Sequence, residues 1–433
     1  MEVDMPEAST RHRAERAVVI GGGVAGLVAA VELAQRGAEV ALLEGAAQLG
    51  GRARTHHVGG FSFNQGAHAL YVGGAFHAAL KRFAIAIHGK PPATNGTSMA
   101  LYRGKLGVLP RSLASLARSG LLSVGDKLTF VRIQSFIKDG ERPSGSFAAW
   151  LDGERLSPAL RATIEAFARL STYGNAPADM SAAATLDQMR MAMQGVIYVD
   201  GGWSALIDGL ATRARSTGVE IRTGASVVSI ETGHSGVRVK LTDGDAIGAS
   251  TVLLAVSPNE AYKLLPVASL QQAVEQAIPA RANVLDLGLE RLPENAVTRV
   301  QGIDRALYLS LHSDAAKLTP DGGALIHIAR YLAPDEKPEA DAIAELEALA
   351  DVALPGWRAL ERQRQRLIGM PVSHGVPRWN ARRPGVRLSD ASGVFIAGDW
   401  VGDSGMISDA AAASGAEAAK AMLAHSTAMV RAA

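Results

Sequence analysis

Residues 17–55, AVVIGGGVAGLVAAVELAQRGAEVALLEGAAQLGGRART, constrain the fold of this chain more than any other stretch. Residues 17–20 form a short β-branched apolar run, the pattern of a buried strand. Gly21, Gly23 and Gly26 follow at G-x-G-x-x-G spacing. Residues 24–35 then carry apolar side chains at helical period and end at Gly37, a natural C-cap. A second apolar strand, 39–43, leads into Glu44. This order has the logic of a dinucleotide cradle. Gly21 permits the tight turn, Gly23 lets backbone approach a pyrophosphate, and Gly26 lets the helix pack closely on the strand. The helix N-terminus, with Ala25 in its first turn, offers unpaired N–H groups to phosphate oxygens. Glu44 stands where a carboxylate accepts hydrogen bonds from ribose hydroxyls and repels a 2′-phosphate, which disfavours NADP. The alternative for Glu44 is a solvated residue at a strand end.

A second glycine pair with a following arginine, Gly50-Gly51-Arg52, suits a longer dinucleotide that extends past the first cradle. With it, the stretch resembles the flavin amine oxidase and phytoene desaturase superfamily, whose signature runs GGGxxGLxxAxxL…E…xxGGRxxT. The resemblance implies FAD, with Gly50, Gly51 and Arg52 along its phosphates and ribityl chain. Residues 58–70 resemble the family's hairpin beside the flavin ring, with Asn64 where an acid commonly stands, then Gly66, Ala67 and His68. There His68 polarises the flavin or a substrate; as a residue in its own right it is equally a hydrogen-bonded structural histidine. Residues 227–230 resemble the strand whose Val227 pairs its backbone with the adenine. The ending GVFIAGDW…DSGMISDAAAASG resembles the family's closing motif. That likeness places Gly398 and Asp399 at the ribityl chain, and Met406 to Ser408, with Ile407 between them, at the pyrimidine edge. The implied fold is α/β. A Rossmann-like, glutathione-reductase-like FAD-binding domain is expected from 15–75, 196–258 and 385–433. An α+β substrate or cap domain is expected from 76–195 and 259–384, and a disordered tail from 1–14.

At 433 residues the chain is long enough for two or more cores. Its net charge of +2, well mixed in sign, argues against a nucleic-acid partner. It has no cysteine, so disulfides, thiolate metal sites and a cysteinyl–flavin bond are excluded, and FAD is expected to be noncovalent. No metal site is expected. The polar N-terminus lacks an apolar signal core, which makes a cytoplasmic location the default.

Within the insertions, helices are expected over 76–90, 112–136 in two pieces, 153–173, 183–193 and 335–353. Strands are expected over 282–289, 306–311 and 323–331. Residues 112–136 carry Arg118, Lys127 and Arg132 among apolar positions. They suit either a segment in peripheral contact with a membrane, collecting a lipid-like substrate, or cap helices roofing a cavity. Met189, Met191 and Met193 alternate and are candidates for an adaptable pocket or for core filling.

Three functions follow. The first is a flavin-dependent desaturase or dehydrogenase acting on a C–H bond of a small apolar molecule, isoprenoid, lipid-like or a secondary metabolite. The second is an amine oxidase, and the third a redox-neutral isomerase or prenyl-chain escort. Many amine oxidases of the family place a lysine near the flavin. The best-matching strand here, residues 280–289, has none, and Asn283 is its nearest polar residue. An aromatic content of 5% also leaves little material for an amine-binding cage.

Overall fold

In the computed structural model, which describes residues 16–93, 98–233, 236–337 and 341–432, the first apolar run is the middle strand of a five-stranded parallel sheet. The expected tail at 1–14 lies outside the described residues. The sheet order is Glu220–Thr223, Glu39–Glu44, Arg16–Ile20, Thr251–Leu254, Val394–Ile396. A parallel sheet covered on both faces needs near-continuous apolar strands, and Val18, Val19, Val252, Leu253 and Leu254 are fully buried. The helix Val24–Ala34 is buried almost all round, because it lies between the sheet, the helix Ser204–Ser216 and the C-terminal helix Ile407–Ala432. Its one buried charge, Glu32, is paired with Arg36 and Arg82. Gly415 permits the close crossing with the last helix, since a Cβ there would lie 2.4 Å from the Ala25 carbonyl oxygen.

The two insertions share one seven-stranded sheet. Its order is Glu361–Ser373, Ala280–Leu289, Ala324–Leu332, Leu307–Leu311, Arg299–Gly302, Ser98–Tyr102, Lys105–Val108. Neighbours are antiparallel except Arg299–Gly302 beside Ser98–Tyr102. Alternation sets its two faces. Leu285, Leu287, Ile326 and Ile328 pack under the helix Ala342–Ala353. Ala282, Val284, Ala329 and Met370 face the other way, toward a cavity. Five helices, Leu113–Arg118, Val124–Asp139, Phe147–Gly153, Pro158–Thr172 and Ala182–Met193, enclose a separate apolar cluster around Phe130, Ile133 and Leu160.

Several expectations need correction. The expected helix over 76–90 ends at Arg82, and Gly89–Lys90 is a short strand. The long strand Glu361–Ser373 was not foreseen, because its polar run ERQRQR hides the alternation of an edge strand. The expected helix over 335–353 begins at Ala342, since the chain turns at 333–336, where Glu336 accepts from Ala333 N–H and Arg281 grips the Pro334 and Glu336 carbonyls. The expected helix over 153–173 begins only at Pro158, capped by Ser157, because the helix Phe147–Gly153 has already ended at the first residue of that range. The methionines of 189–193 do not form a pocket: Met189 fills the helical cluster and Met193 is exposed, while Met370 is the methionine of the cavity wall.

Candidate functional site

The two glycine motifs meet at the C-terminal end of the parallel sheet. Gly50 N–H donates to the Gly22 carbonyl at 2.8 Å, and a Cβ on Gly22 would strike Leu49 at 2.4 Å. Gly21 has φ +106°, and a Cβ there would lie 2.5 Å from the Ala255 carbonyl oxygen. Gly26 is stricter still, at 1.9 Å from the Gly21 carbonyl oxygen. Gly23, in contrast, has only the Gly50 carbonyl oxygen at 4.0 Å, so the space over it is open. Gly23 is also the N-cap of the helix Val24–Ala34 and provides no side-chain cap, which leaves the first-turn N–H groups to an external acceptor. Glu44 closes the other side. One carboxylate oxygen accepts from Gly22 N–H and the other from Ala46 N–H, both at 2.8 Å, and each keeps a further acceptor position.

Arg52 and Asp399 form a bidentate pair, Nη1 to Oδ2 at 2.7 Å and Nη2 to Oδ1 at 2.9 Å. Arg52 also donates to the Val372 carbonyl, and His374 N–H donates to Asp399. Burial alone would raise the Asp399 carboxyl, but the charge and hydrogen bonds of Arg52 hold it down at about 2. Arg383 ties the adjoining loops together by donating to the carbonyls of Asp399 and Gly405.

These groups line a cavity of about 420 Å³. Its wall brings together Gly21, Gly23, Ala25, Glu44, Gly50, Gly51, Arg52, Gly66, Ala67, His68, Gly398, Asp399 and Ile407 from the residues expected in sequence. Three expected residues are not in that wall. Gly26 acts in helix–strand packing. Val227 begins the strand Val227–Gly233 of a small antiparallel sheet and lies half-buried against the main core. Met406 is buried in a cluster with Ala176, Met180 and Val376, leaving Ile407 and Ser408 at the cavity. Ile407 has φ +54°, an uncommon left-handed conformation for a β-branched residue.

His68 Nδ1 lies 2.9 Å from the Gly66 carbonyl oxygen, so in the neutral ring Nδ1 carries the proton and Nε2 is the acceptor. Burial pushes the His68 pKa down to about 4, and that of His374 to about 4 as well. The Trp203 ring meets His68 edge-on at 4.7 Å. No lysine is among the described residues of this wall. Asn283 is buried and accepts from Gly369 N–H at 2.8 Å, a brace between strands.

Sequence reasoning missed Tyr71, Tyr173, Trp203, Met370, Val372 and His374, which also line the cavity. A second cavity of about 170 Å³ shares Ala67, Ala69, Tyr71 and Tyr173 with the first and adds Tyr198, Tyr308, Arg299 and His312. The 5% aromatic content was thus a poor guide: a low total does not prevent tyrosines from separate strands and helices converging on one site. Only position-specific signals, such as an aromatic on each inward-facing strand residue, would have found them.

A family model described as flavin containing amine oxidoreductase matches residues 24–289. The chain is 26% identical over 289 residues to the 4,4'-diaponeurosporene oxygenase of Staphylococcus aureus (strain Mu50 / ATCC 700699), a match covering 57% of each chain, so it spans little over half the length of that relative. Among solved structures, an oxidoreductase from Methanosarcina mazei superposes with a TM-score of 0.75 at 20% identity, over 94% of this chain and 100% of the other. Wild-type putrescine oxidase bound to putrescine gives a TM-score of 0.71 at 16% identity, over 95% and 99%. These structural likenesses show a shared fold.

Proposed function

The chain belongs to the flavin-containing amine oxidoreductase family, FAD-dependent oxidoreductases, and on that premise we propose that it removes hydride from a C–H bond of a small apolar substrate as a desaturase or dehydrogenase. The parallel sheet, with 15–75, 196–258 and 385–433, is proposed as a discontinuous Rossmann-like FAD-binding domain, and 76–195 with 259–384 as the cap. Glu44 would accept from the adenosine ribose hydroxyls, and the N–H groups above Gly23 would donate to the pyrophosphate. Arg52 and Asp399 would meet the phosphates and ribityl hydroxyls. Ile407 and Ser408 present the positive end of the last helix's dipole to the same cavity. FAD held there supplies a two-electron acceptor. With no cysteine in the chain, a cysteinyl bond cannot hold it, and intact FAD should leave on heat or acid.

The observation that carries the substrate reading is the charge of the walls. Ala282, Val284, Ala329, Met370 and Val372 present an apolar surface that excludes water. The only carboxylates among the described lining residues are Asp399, paired with Arg52, and Glu44, assigned to the adenosine ribose and so away from the substrate, while the second cavity carries Arg111 and Arg299. An ammonium substrate finds no free counter-charge there. His68 Nε2 is a neutral acceptor able to take a proton leaving the substrate, with Nδ1–H fixed on Gly66. The converging tyrosines favour a second reading, an amine oxidase acting on a neutral C–N substrate.

Anaerobic mixing with primary, secondary and polyamines, and separately with isoprenoid and long-chain apolar compounds, distinguishes the two by bleaching of the oxidised flavin band. Saturable bleaching by an amine and by no apolar compound would overturn the desaturase reading. An isomerised product without net bleaching would instead mark redox-neutral chemistry.

A further inference from the structure

One face of the seven-stranded sheet carries a polar row that no cofactor or substrate contact accounts for. Strand register sets Gln365 opposite Asp286, Asp286 opposite His327, His327 opposite Ser310, and Ser310 opposite Arg299. The row thus crosses neighbouring strands without a break. Asp286 follows Val284 by two residues and His327 precedes Ala329 by two, so alternation puts the row on the cavity-facing side. Asp286, His327 and Ser310 are fully buried. Polar groups buried in such a row cost stability that an apolar face would keep.

Local contacts give the row a direction. One Asp286 carboxylate oxygen accepts from Gln365 Nε2 at 2.8 Å and the other from His327 Nδ1–H. That bond fixes the His327 tautomer and leaves Nε2 as an acceptor, buried and without a partner among the described residues. The His312 ring meets His327 at a steep angle, centroids 4.2 Å apart, and stacks on Tyr198 at 3.9 Å. His312 Nε2 is likewise buried and unpartnered among the described residues, and His312 lines the second cavity. On the other side, the charges of His327 and Asp286 both bear on His68 in the wall of the first cavity. The further ionisable groups about the two rings are Tyr198, Tyr308 and Arg299, the last paired with Asp314.

We propose that Asp286, His327 and His312 form a buried proton path: His327, held by Asp286, takes up a proton when reduction brings negative charge into the first cavity, and His312 passes that proton in from the second. Solvent in the second cavity protonates one ring nitrogen of His312, and the other gives its proton to His327 Nε2. Asp286 stays ionised and balances the imidazolium. Two electrons then enter the site with two protons, one within the hydride and one on His327. On reoxidation the second proton leaves by the same route. His327 and Asp286 touch no substrate and act as positioning residues for charge. The path rests on FAD lying in the first cavity and is independent of the substrate class.

The test uses the full chain with FAD and no substrate. The midpoint potential of the bound flavin is followed between about pH 7 and 8.5, where an ordinary imidazole is mostly neutral. In the parent it should fall with the slope of two protons per two electrons. His327→Gln and Asp286→Asn should halve that slope while retaining flavin absorbance. His56→Gln, at an exposed histidine on another strand, should leave it unchanged. His312→Phe keeps a ring against Tyr198 and should preserve the slope but slow proton uptake about tenfold, read with a pH indicator after rapid mixing with dithionite. A parent slope of one proton per two electrons would overturn the inference even where the variants fail to fold. So would an unchanged slope in both His327→Gln and Asp286→Asn, a slope halved by His68→Gln in their place, or unaltered uptake in His312→Phe. Weakened FAD binding by Asp399→Ala beside unchanged slopes would sink the proton path and leave the cofactor placement standing.

Discussion

Asp399 and Arg52 depend on each other at the level of single side chains. Asp399 is 1% exposed, and its charge is held by a guanidinium that also faces the cavity. Replacing Asp399 or Glu44 by alanine should cost about 1–3 kcal/mol of FAD binding each, because sugar hydroxyls then lose acceptors in a closed site. Titration of FAD into apoprotein measures this, and wild-type affinity in both variants would remove the cofactor assignment from this cavity. The imidazoles give a pH signature. His68 and His374 have pKa values of about 4 in the fold against 6.5 ordinarily, so the unfolded chain takes up protons first as pH falls. Apoprotein stability should therefore drop between about pH 6.5 and 4, and His374→Gln should flatten that slope in urea melts at several pH values. Asp399 behaves oppositely in origin. Its pKa is depressed, so its contribution is complete above the ordinary carboxylate range and is lost only as pH falls toward about 2.

Elements explain why some of the site was legible and some was not. The strand–turn–helix at 16–34 announces itself because its glycines answer to backbone geometry, which leaves a fixed spacing in the chain. Gly23 and Gly26 separate two roles of that motif. Gly26→Ala places a methyl where the Gly21 carbonyl oxygen lies 1.9 Å away and should destabilise the apoprotein by about 1–3 kcal/mol or more, read by thermal melting. Gly23→Ala meets open space and should melt like the parent apoprotein yet bind FAD about tenfold more weakly, since its methyl enters the phosphate path. Equal melting and equal binding in both variants would contradict the division. The strand Glu361–Ser373 left no such mark. Its Gln365 reaches inward to Asp286 and the Asn64 carbonyl, while neighbouring arginines pair along the edge, a pattern that reads as a polar loop until the partner strand is known. The tyrosine chamber was illegible for the same reason, because its members come from separate elements and share no local spacing.

Over the whole molecule, the glycine and closing motifs near the two ends of the chain could be read from sequence because each is local, whereas the walls of the cavity are assembled by long-range contacts. The sheet takes strands from 16–44, then 220–223, then 251–254, and last 394–396. Arg52 meets its carboxylate partner across 347 residues. A chain with such distant pairings folds late in its own synthesis, since loop closure must precede contact. During translation the early strand–helix unit emerges with its sheet incomplete, and Val394–Ile396, Asp399 and the helix Ile407–Ala432 follow only long after it. Chains stalled before residue 394 should therefore resist neither protease nor retain FAD, whereas full-length chains do both, a difference that arrested nascent chains of graded length would reveal. Cofactor capture would then be a check that the strand Val394–Ile396 and Asp399 have arrived.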